Sequence, residues 1–348
     1  MEIITGTGPD IYDLCSLPRN IYEKSGVLVD LYPYMQNDPE LRSLQFVESI
    51  MSRLENDGKL FSLVPVYSLL TIAANKNIIG DVPCLNFEEL LRANELMPER
   101  HDLFGGSVSK MMFLNAMTSV DQSVFWDKSS SKVDFKSETA EQMLLFSSLL
   151  PDEYDVSNQI AMIASGAQIA SFEEISSLEN LIAIDCFYNG EAGVYGFPCQ
   201  KHCGTIIMPR ISLGISIQCE EKEAAWSFLR SFLLNDSQKK LSQQGLPVTK
   251  PGMDYLKDCH RAWIEAGGRF HAYGAAGKEL LIVVQDEHYI SQIDELIDSA
   301  EGVYCNNPAL FEIIWGEVQP CYHGEKTLEQ ACAIIQSKMN IYFSEQFN

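Results

Sequence analysis

The chain has 348 residues, of which 46% are hydrophobic, and a formal net charge of −23. This length exceeds the roughly 250–300 residues at which single cores stop growing, so two domains are expected, and the hydrophobic content excludes a disordered chain. The acidic charge argues against nucleic acid and anionic membrane surfaces as partners, because both are bound through lysine and arginine.

The N-terminus and the cysteines bear on the cellular compartment. Met1–Thr5 has neither the basic start nor the apolar core of a signal peptide. No apolar stretch reaches the ~20 residues that span a bilayer. Ten cysteines are scattered without a regular spacing. They fit the reduced thiols of a cytosolic chain or the tolerated thiols of an anaerobe's exported protein, and the residues leave both open.

In chain order, strand and helix patterns alternate, which indicates an α/β fold. A short strand at Asp10–Leu14 is followed by a helix over Leu17–Lys24. Apolar residues at helical spacing predict one helix over Glu40–Leu54. Asn86 is a candidate N-cap for a helix over Phe87–Glu95.

The stretch Asp57–Ser68 organises the first half of the chain. It opens on an Asp-Gly turn and continues as an apolar run that contains Pro65. Proline lacks an N–H, so the run favours an edge strand or a strand that crosses between two bodies. We expect Leu63–Thr71 to be such a crossing, with Tyr67 and Ser68 where the two bodies face each other.

The second half continues the alternation. Thr327 is a candidate N-cap of the last helix, with Gln330 in capping-box spacing. The predicted strands are Ala167–Ala170, Gly193–Phe197 and Gly204–Ile217, and the predicted helices are Lys110–Met117, Glu138–Leu150, Glu220–Leu234, Tyr255–Ala266, His288–Ser299 and Pro308–Val318.

No catalytic constellation stands out, so no enzyme activity, metal or cofactor is predicted. The G-x-S-x-G and H-E-x-x-H motifs and the phosphate-loop spacing are absent. Cys199–Cys203 lacks the second ligand pair of a zinc site and the C-x-x-C spacing, so we expect a loop with incidental thiols. The acidic pairs Glu173-Glu174 and Glu220-Glu221 are interpreted as solvated faces.

Aromatic residues at the predicted ends of strands suggest a ligand site. Ligands of open α/β sheets lie at the carboxyl ends of the strands. Aromatic rings stack on the apolar faces of sugars, while carboxylates and amides bind the hydroxyls. Core packing is the alternative for each ring. Phe197 also falls at a predicted strand end, and the candidate ligand-binding residues are Tyr12, Asp13, Tyr67, Ser68, Trp126 and Phe172.

The order of several individually unspecific stretches is more telling than any one of them. These stretches are Gly8–Leu14, Leu28–Tyr34, Asp57–Leu63, Phe87–Leu91, Gly196–Pro198, Leu213–Ser216, Lys222–Leu229 and Ile334–Tyr342. In this order, over nearly the whole length, the chain resembles the extracellular solute-binding proteins of bacterial ABC transporters. Within them it is most similar to the sugar-binding class related to maltodextrin-binding protein.

This resemblance implies a class II periplasmic-binding-protein-like fold, with two α/β lobes and a helical C-terminus. It implies a carbohydrate ligand in the cleft between the lobes, closure by hinge motion, and delivery to membrane permease subunits. It also implies a monomer that is lipid-anchored at the extracellular face of the membrane. Residues 1–68 and 205–248 would form the N-terminal lobe, and residues 69–204 and 249–348 the C-terminal lobe.

The resemblance also carries an expectation about the start of the chain. Such proteins begin with a signal peptide, a lipidated cysteine and a strand–helix–strand unit ahead of the Gly-Pro-Asp-Ile segment. Here that segment lies close to Met1. We therefore expect the first lobe to lack its opening unit, and the chain to be cytoplasmic if Met1 is the true start.

Two other functions are kept open. One is a carbohydrate-active hydrolase that uses Asp13 or Asp185, which would require two carboxylates at hydrolytic separation in the cleft. The other is a degenerate or intracellular fragment that has no transport role.

Overall fold

The computed structural model describes residues 8–80, 82, 84–97, 103–120, 126–127, 132–198, 203–273, 279–285 and 287–347. For residues 126, 127, 132, 272, 273, 279, 280, 346 and 347 it describes the backbone alone.

The strands are β1 (Ile11–Asp13), β2 (Val66–Asn75), β3 (Trp126–Asp127), β4 (Lys132–Val133), β5 (Ala170–Ile175), β6 (Ala192–Val194), β7 (Phe197–Pro198), β8 (Cys203–Pro209), β9 (Leu213–Ile215), β10 (Leu246–Pro247), β11 (Arg269–Tyr273), β12 (Glu279–Val283) and β13 (Ala300–Val303).

The helices are α1 (Arg19–Lys24), α2 (Tyr32–Asn37), α3 (Glu48–Leu54), α4 (Lys76–Ile79), α5 (Phe87–Glu95), α6 (Lys110–Val120), α7 (Glu138–Ser148), α8 (Gln159–Ser165), α9 (Leu178–Phe187), α10 (Lys222–Ser231), α11 (Asn235–Leu241), α12 (Lys250–Glu265), α13 (His288–Asp298), α14 (Pro308–Tyr322) and α15 (Leu328–Phe347). Within the described ranges, no helix is both long enough and apolar enough to cross a membrane.

Strand β2 is central in a seven-stranded sheet. Its first half pairs with β10 on one edge and β8 on the other, and its second half pairs with β5 and β6. The expectation of an edge strand is therefore wrong. Pro65 lies directly before β2, so its missing N–H removes no ladder bond from the strand. Its carbonyl accepts hydrogen bonds from the Val248 N–H (3.1 Å) and Gln238 Nε2 (3.0 Å).

Three strands from distant parts of the chain lie side by side in this sheet, in the order β2, β8, β13. Strand β8 is antiparallel to β2, and β13 is parallel to β8. The chain thus passes the same place three times. That this place is the crossing between two bodies stays a prediction.

Side chains of β2 alternate between two hydrophobic cores, as the period of two in a strand requires. Tyr67 and Leu69 face a first core that includes Ile50 of α3, Leu229 of α10 and Ile293 of α13. Ile72 and Ala74 face a second core, whose members include Phe87 of α5, Phe113 of α6, Ile314 of α14 and Met339 of α15.

The N-terminal residues form a smaller unit. Strand β1 pairs antiparallel with β9 in a two-stranded sheet, with Tyr12 opposite Gly214. A Cβ at Gly214 would lie 3.0 Å from the Phe61 carbonyl oxygen, so the close approach of the two backbones favours glycine there. Tyr12, Leu14 and Leu28 form a third small core beneath this sheet.

The predicted helix over Glu40–Leu54 is wrong in its first part. A 3₁₀ turn covers Leu41–Ser43, and α3 begins only at Glu48. The residues between them are held extended by another segment, because the Val47 N–H donates to the Val248 carbonyl and the Lys250 N–H donates to the Gln45 carbonyl. Helical spacing of apolar residues gives no sign of this tertiary pairing.

The predicted helix caps are confirmed. The Asn86 side chain accepts a hydrogen bond from the Glu89 N–H at 2.8 Å and begins α5. Thr327 and Gln330 form a capping box before α15, with the Thr327 N–H donating to Gln330 Oε1 (2.9 Å) and the Gln330 N–H to Thr327 Oγ1 (3.2 Å).

A buried carboxylate ties the last two helices together. Glu317 of α14 is 9% exposed and accepts hydrogen bonds from Lys326 Nζ (2.5 Å) and Lys338 Nζ (2.6 Å). Lys338 lies on α15, and Lys326 lies in the loop before it. The hydrogen bond from Lys326 is the main reason why the pKa of the Glu317 carboxyl is lowered, and the hydrogen bond from Lys338 is the second.

We expect Glu317→Gln to lower the free energy of unfolding by roughly 1–2 kcal/mol at pH 7, because it removes the charge that both lysines contact. Since the pKa of Glu317 is lowered in the folded chain, this stabilisation is present above the ordinary range of a glutamate and is lost as the pH falls. Thermal unfolding of both proteins should therefore show a difference at pH 7 that shrinks towards about pH 3.

Glu312→Gln is the matched control, since Glu312 is an exposed glutamate on the same helix. An effect of equal size in the control, or a difference that does not change with pH, would contradict the role given to Glu317.

Candidate functional site

Ser68, Glu174 and Arg210 form a polar strip on the sheet face that carries the second core. The strip lies beyond the edge of that core. Leu70 and Phe172 pack at the core's margin. Ser68 lies on the same face as Leu70, two residues before it in β2, and Glu174 lies on the same face as Phe172, two residues after it in β5. Ser68 Oγ donates a hydrogen bond to Glu174 Oε1 at 2.5 Å. Arg210, directly after β8, places Nη1 3.3 Å from the same oxygen. The strip therefore offers a partly exposed carboxylate and guanidinium on a rigid sheet.

A cavity of about 350 Å³ opens close to β13. One side is formed by α1 and the end of α3, which packs in the first core. The other side is formed by the end of α6, which packs in the second core, and by β13 with the two residues that follow it. The cavity thus lies where parts of the chain from different cores meet. Its polar lining side chains include Asn20, Ser52, Arg53, Asn56, Ser119 and Tyr304.

Both arginines that line the cavity are paired with glutamates of the same lining. Arg19 is buried, and it donates from Nε to Glu23 Oε1 and from Nη2 to the Leu54 carbonyl, both at 2.5 Å. Arg53 Nη2 lies 3.3 Å from Glu301 Oε2. The lining therefore presents hydrogen-bonding atoms without a large excess of either charge.

The segment after β1 approaches the crossing strands at two points. Cys15 Sγ lies 3.7 Å from the Pro209 carbonyl oxygen at the end of β8. Cys305 Sγ, just after β13, donates to Asn20 Oδ1 at 3.2 Å. Burial, and then the Asp13 carboxylate, raise the pKa of the Cys15 thiol to about 12, so this thiol stays protonated. Together the two contacts hold the segment from Cys15 to Asn20 against the end of β8 and the chain after β13.

The expected position of the aromatic residues at strand ends is wrong. Tyr67 is the second residue of β2, and it is fully buried against the first core. Phe172 lies in the middle of β5, between the rings of Phe104 (5.1 Å) and Phe197 (5.0 Å). The strand predicted at Ala167–Ala170 in fact begins at Ala170, because residues 170–175 pair with β2. Their part in ligand binding stays a prediction.

The other predicted site residues are placed as follows. Tyr12 lies in the middle of β1, in the third core, with its ring 6.0 Å from that of Tyr22. Asp13 is exposed and accepts a hydrogen bond from the Cys15 N–H at 3.0 Å. Trp126 belongs to β3, and its side chain lies outside the described residues. Of the six predicted residues, Ser68 is the one that lies on the polar strip.

Sequence reasoning missed Glu174 and Arg210, and it interpreted Glu173-Glu174 as a solvated pair. In β5 the two carboxylates point to opposite faces. Glu173 is partly buried and accepts from Ser171 Oγ at 2.5 Å, and burial raises its pKa. If the strand had been predicted at residues 170–175, the alternation of side chains would have placed Glu173 and Glu174 on opposite faces of the sheet.

The predicted loop of incidental thiols is also corrected in part. Cys203 is bonded to Cys84, which lies 119 residues away in sequence. Residues 199–202 lie outside the described residues. In the part of the chain that is described, no group of three or more His, Cys, Asp or Glu side chains could hold a metal ion.

Comparison with known proteins supports the architecture. No family model matches the sequence, and no curated protein matches it. Among solved structures, the chain is similar to the sugar-binding protein MalE from Xanthomonas citri, with a TM-score of 0.62, 12% identity, and coverage of 99% of this chain and 86% of that one.

Two further structures show the same likeness. One is the cyclic alpha-maltosyl-1,6-maltose binding protein of Arthrobacter globiformis, with a TM-score of 0.58, 18% identity and coverage of 99% and 87%. The other is an ABC transporter associated binding protein from B. animalis subsp. lactis in complex with beta-1,6-galactobiose, with a TM-score of 0.58, 16% identity and coverage of 99% and 88%. The chain therefore has the α/β fold of two-lobe solute-binding proteins, and the expected fold class is confirmed.

The buried hydroxyl of Tyr67 gives a test of its role. This hydroxyl has no hydrogen-bond partner among the described residues, and burial raises its pKa. If Tyr67 is a core residue, Tyr67→Phe should leave the unfolding temperature unchanged or raise it, because no hydrogen bond is lost. Thermal unfolding measured by circular dichroism checks this.

Tyr188→Phe is the matched control. The Tyr188 hydroxyl is buried too, but it donates to the Ala73 carbonyl at 3.2 Å and contacts Ser171 Oγ at 2.8 Å. Its removal should cost about 1 kcal/mol. A larger loss in Tyr67→Phe than in Tyr188→Phe would show that the Tyr67 hydroxyl has a partner.

Proposed function

We propose that the chain is the solute-binding component of an ABC import system and that it binds a carbohydrate in the cavity between α1 and α3 on one side and α6 and β13 on the other. The observation that carries the proposal is this polar cavity, whose arginines are paired and whose sides come from parts of the chain that pack in different cores. The fold shared with sugar-binding proteins supports it.

The lining suits a hydroxyl-rich ligand. Sugar hydroxyls both donate and accept hydrogen bonds, and amide and hydroxyl side chains such as Asn20, Asn56 and Ser119 can match either role. Tyr304 supplies an aromatic ring in the same lining. Small-molecule sites range over roughly 300–1,000 Å³. A cavity of about 350 Å³ therefore favours a mono- or disaccharide.

Closure on the ligand follows from the same arrangement. A ligand that contacts both sides of the cavity binds the closed form more tightly than an open one and so shifts the population towards closure. Strands β2, β8 and β13 would carry the bend, since they lie side by side where the chain crosses. Of the three proposed lobe boundaries, those at residues 68 and 204 fall within β2 and β8, and the one at residue 248 falls between β10 and α12.

The proposed location is the extracellular face of the membrane, where a lipid-anchored monomer would deliver the sugar to permease subunits. The Cys84–Cys203 disulfide supports a location outside the cytoplasm, because disulfides persist mainly in oxidising compartments.

A hydrolase is less well supported. Neither Asp13 nor Asp185 lines the cavity in the described part of the chain. Asp185 accepts a hydrogen bond from the Tyr289 hydroxyl at 3.1 Å and lines a separate cavity. The carboxylates that do line the cavity have partners, namely Glu23 with Arg19, Glu301 with Arg53, and Glu55 with the Tyr32 hydroxyl.

A thermal-shift screen against neutral mono- and oligosaccharides, followed by isothermal titration, tests the function. We expect at least one saccharide to bind with a stoichiometry of one and to raise the unfolding temperature. If no saccharide binds, the proposed function is wrong.

Arg53→Met tests the location of the site. Losing the guanidinium should weaken saccharide binding about tenfold, since one hydrogen bond from a charged group is removed. Arg261→Met is the matched control, because Arg261 is a surface arginine with a side chain 41% exposed, against 42% for Arg53, and with ion-pair partners of its own. Equal affinity in the two variants would place the ligand elsewhere.

A further inference from the structure

The disulfide joins two segments that the backbone ladder does not join. Cys84 lies two residues before Asn86, the N-cap of α5, and Cys203 is the first residue of β8. Their Cα atoms are 5.3 Å apart, within the range of about 4.4–6.8 Å that disulfides require. Both residues are partly exposed, so solvent reductants and oxidants can approach them.

One end of the bond belongs to the second core. Helix α5 begins just after Cys84 and buries Phe87, Leu90 and Ala93 in that core. Leu85, beside Cys84, is fully buried there as well. A pull on Cys84 is therefore transmitted to a packed helix rather than to a free loop.

The other end belongs to a crossing strand. Cys203 pairs with Pro198 in the β7–β8 hairpin, and the Tyr195 hydroxyl before that hairpin contacts the Gly80 carbonyl at 3.4 Å. The far end of β8 is Pro209, which precedes Arg210 of the polar strip. The disulfide thus links the start of β8 to the segment that leads into α5, and so to the second core.

We propose that the Cys84–Cys203 disulfide is a redox-dependent staple, which fixes the start of β8 to the second core and is required for full stability of the chain. Its formation removes two thiol protons and two electrons, which a disulfide-bearing oxidant accepts by thiol–disulfide exchange, becoming a dithiol. A reducing compartment reverses the step. The proposal does not depend on the identity of the ligand.

The covalent claim is tested by mass spectrometry of the full-length chain, denatured without reductant, alkylated and digested. The chain has ten cysteines, so one bond leaves eight thiols to alkylate. We expect one cross-linked peptide pair that contains Cys84 and Cys203, and its disappearance after reduction. Alkylation of both residues without reductant, or a bond from either of them to Cys199, would overturn the proposal.

The stabilising role is tested by thermal unfolding with and without a phosphine reductant. Closing a loop of 119 residues predicts a loss of roughly 5–10 °C in unfolding temperature on reduction. The double variant Cys84→Ser/Cys203→Ser should unfold at the temperature of the reduced chain and should not respond to reductant. Cys259→Ser is the control, because Cys259 is an exposed free thiol on α12, and it should behave as the unsubstituted chain.

Hydrogen exchange read by mass spectrometry locates the effect and avoids any variant that fails to fold. On reduction of the unsubstituted chain, we expect faster exchange in residues 84–90 and 197–206 and unchanged exchange in α12. No change in unfolding temperature, or a loss of protection that is uniform along the chain, would overturn the staple.

Discussion

Strand β2 has hydrogen-bonded neighbours along both edges, and hydrophobic cores lie against its two faces. A strand held in this way cannot slip by one residue, because each side chain would then turn to the opposite core. The register of β2 therefore fixes the face to which Ser68 points. The pairing of β2 with β5 and β8 fixes the positions of Glu174 and Arg210 relative to Ser68. The polar strip is a consequence of this register.

The charged side chains around the cavity are not distributed as the net charge of the chain suggests. With a net charge of −23, unpaired carboxylates would be expected in most surface clefts. Around the cavity, however, Arg19 and Arg53 meet Glu23 and Glu301. Such pairs keep the side chains in place. Under the proposed function, the other hydrogen-bonding atoms of the lining would serve a neutral, hydroxyl-rich ligand.

The sequence allowed the local features and the overall architecture to be predicted. The caps at Asn86 and Thr327 depend on residues three apart, so local pattern was sufficient. The order of unspecific stretches gave the two-lobe fold, which agrees with the solved structures. The break before α3 and the start of β5 were missed because each depends on pairing with a distant segment.

The polar strip could be predicted only in part, for the same reason, and none of the six predicted residues is among those that line the cavity in the described part of the chain. The expected crossing at Leu63–Thr71 indicates Ser68, but its partners Glu174 and Arg210 come from β5 and from directly after β8. Tyr67, its neighbour in sequence, turns to the opposite face and is buried. The partner of Cys203 lies 119 residues away, so no local spacing indicates it.

A crystal structure of the full chain with a bound saccharide tests the central claim most directly. The account predicts that the sugar lies in the cavity and hydrogen-bonds at once to residues of α1 or α3 and to residues between Gly302 and Cys305. A sugar bound away from this cavity, or held by one of its two sides alone, would contradict it.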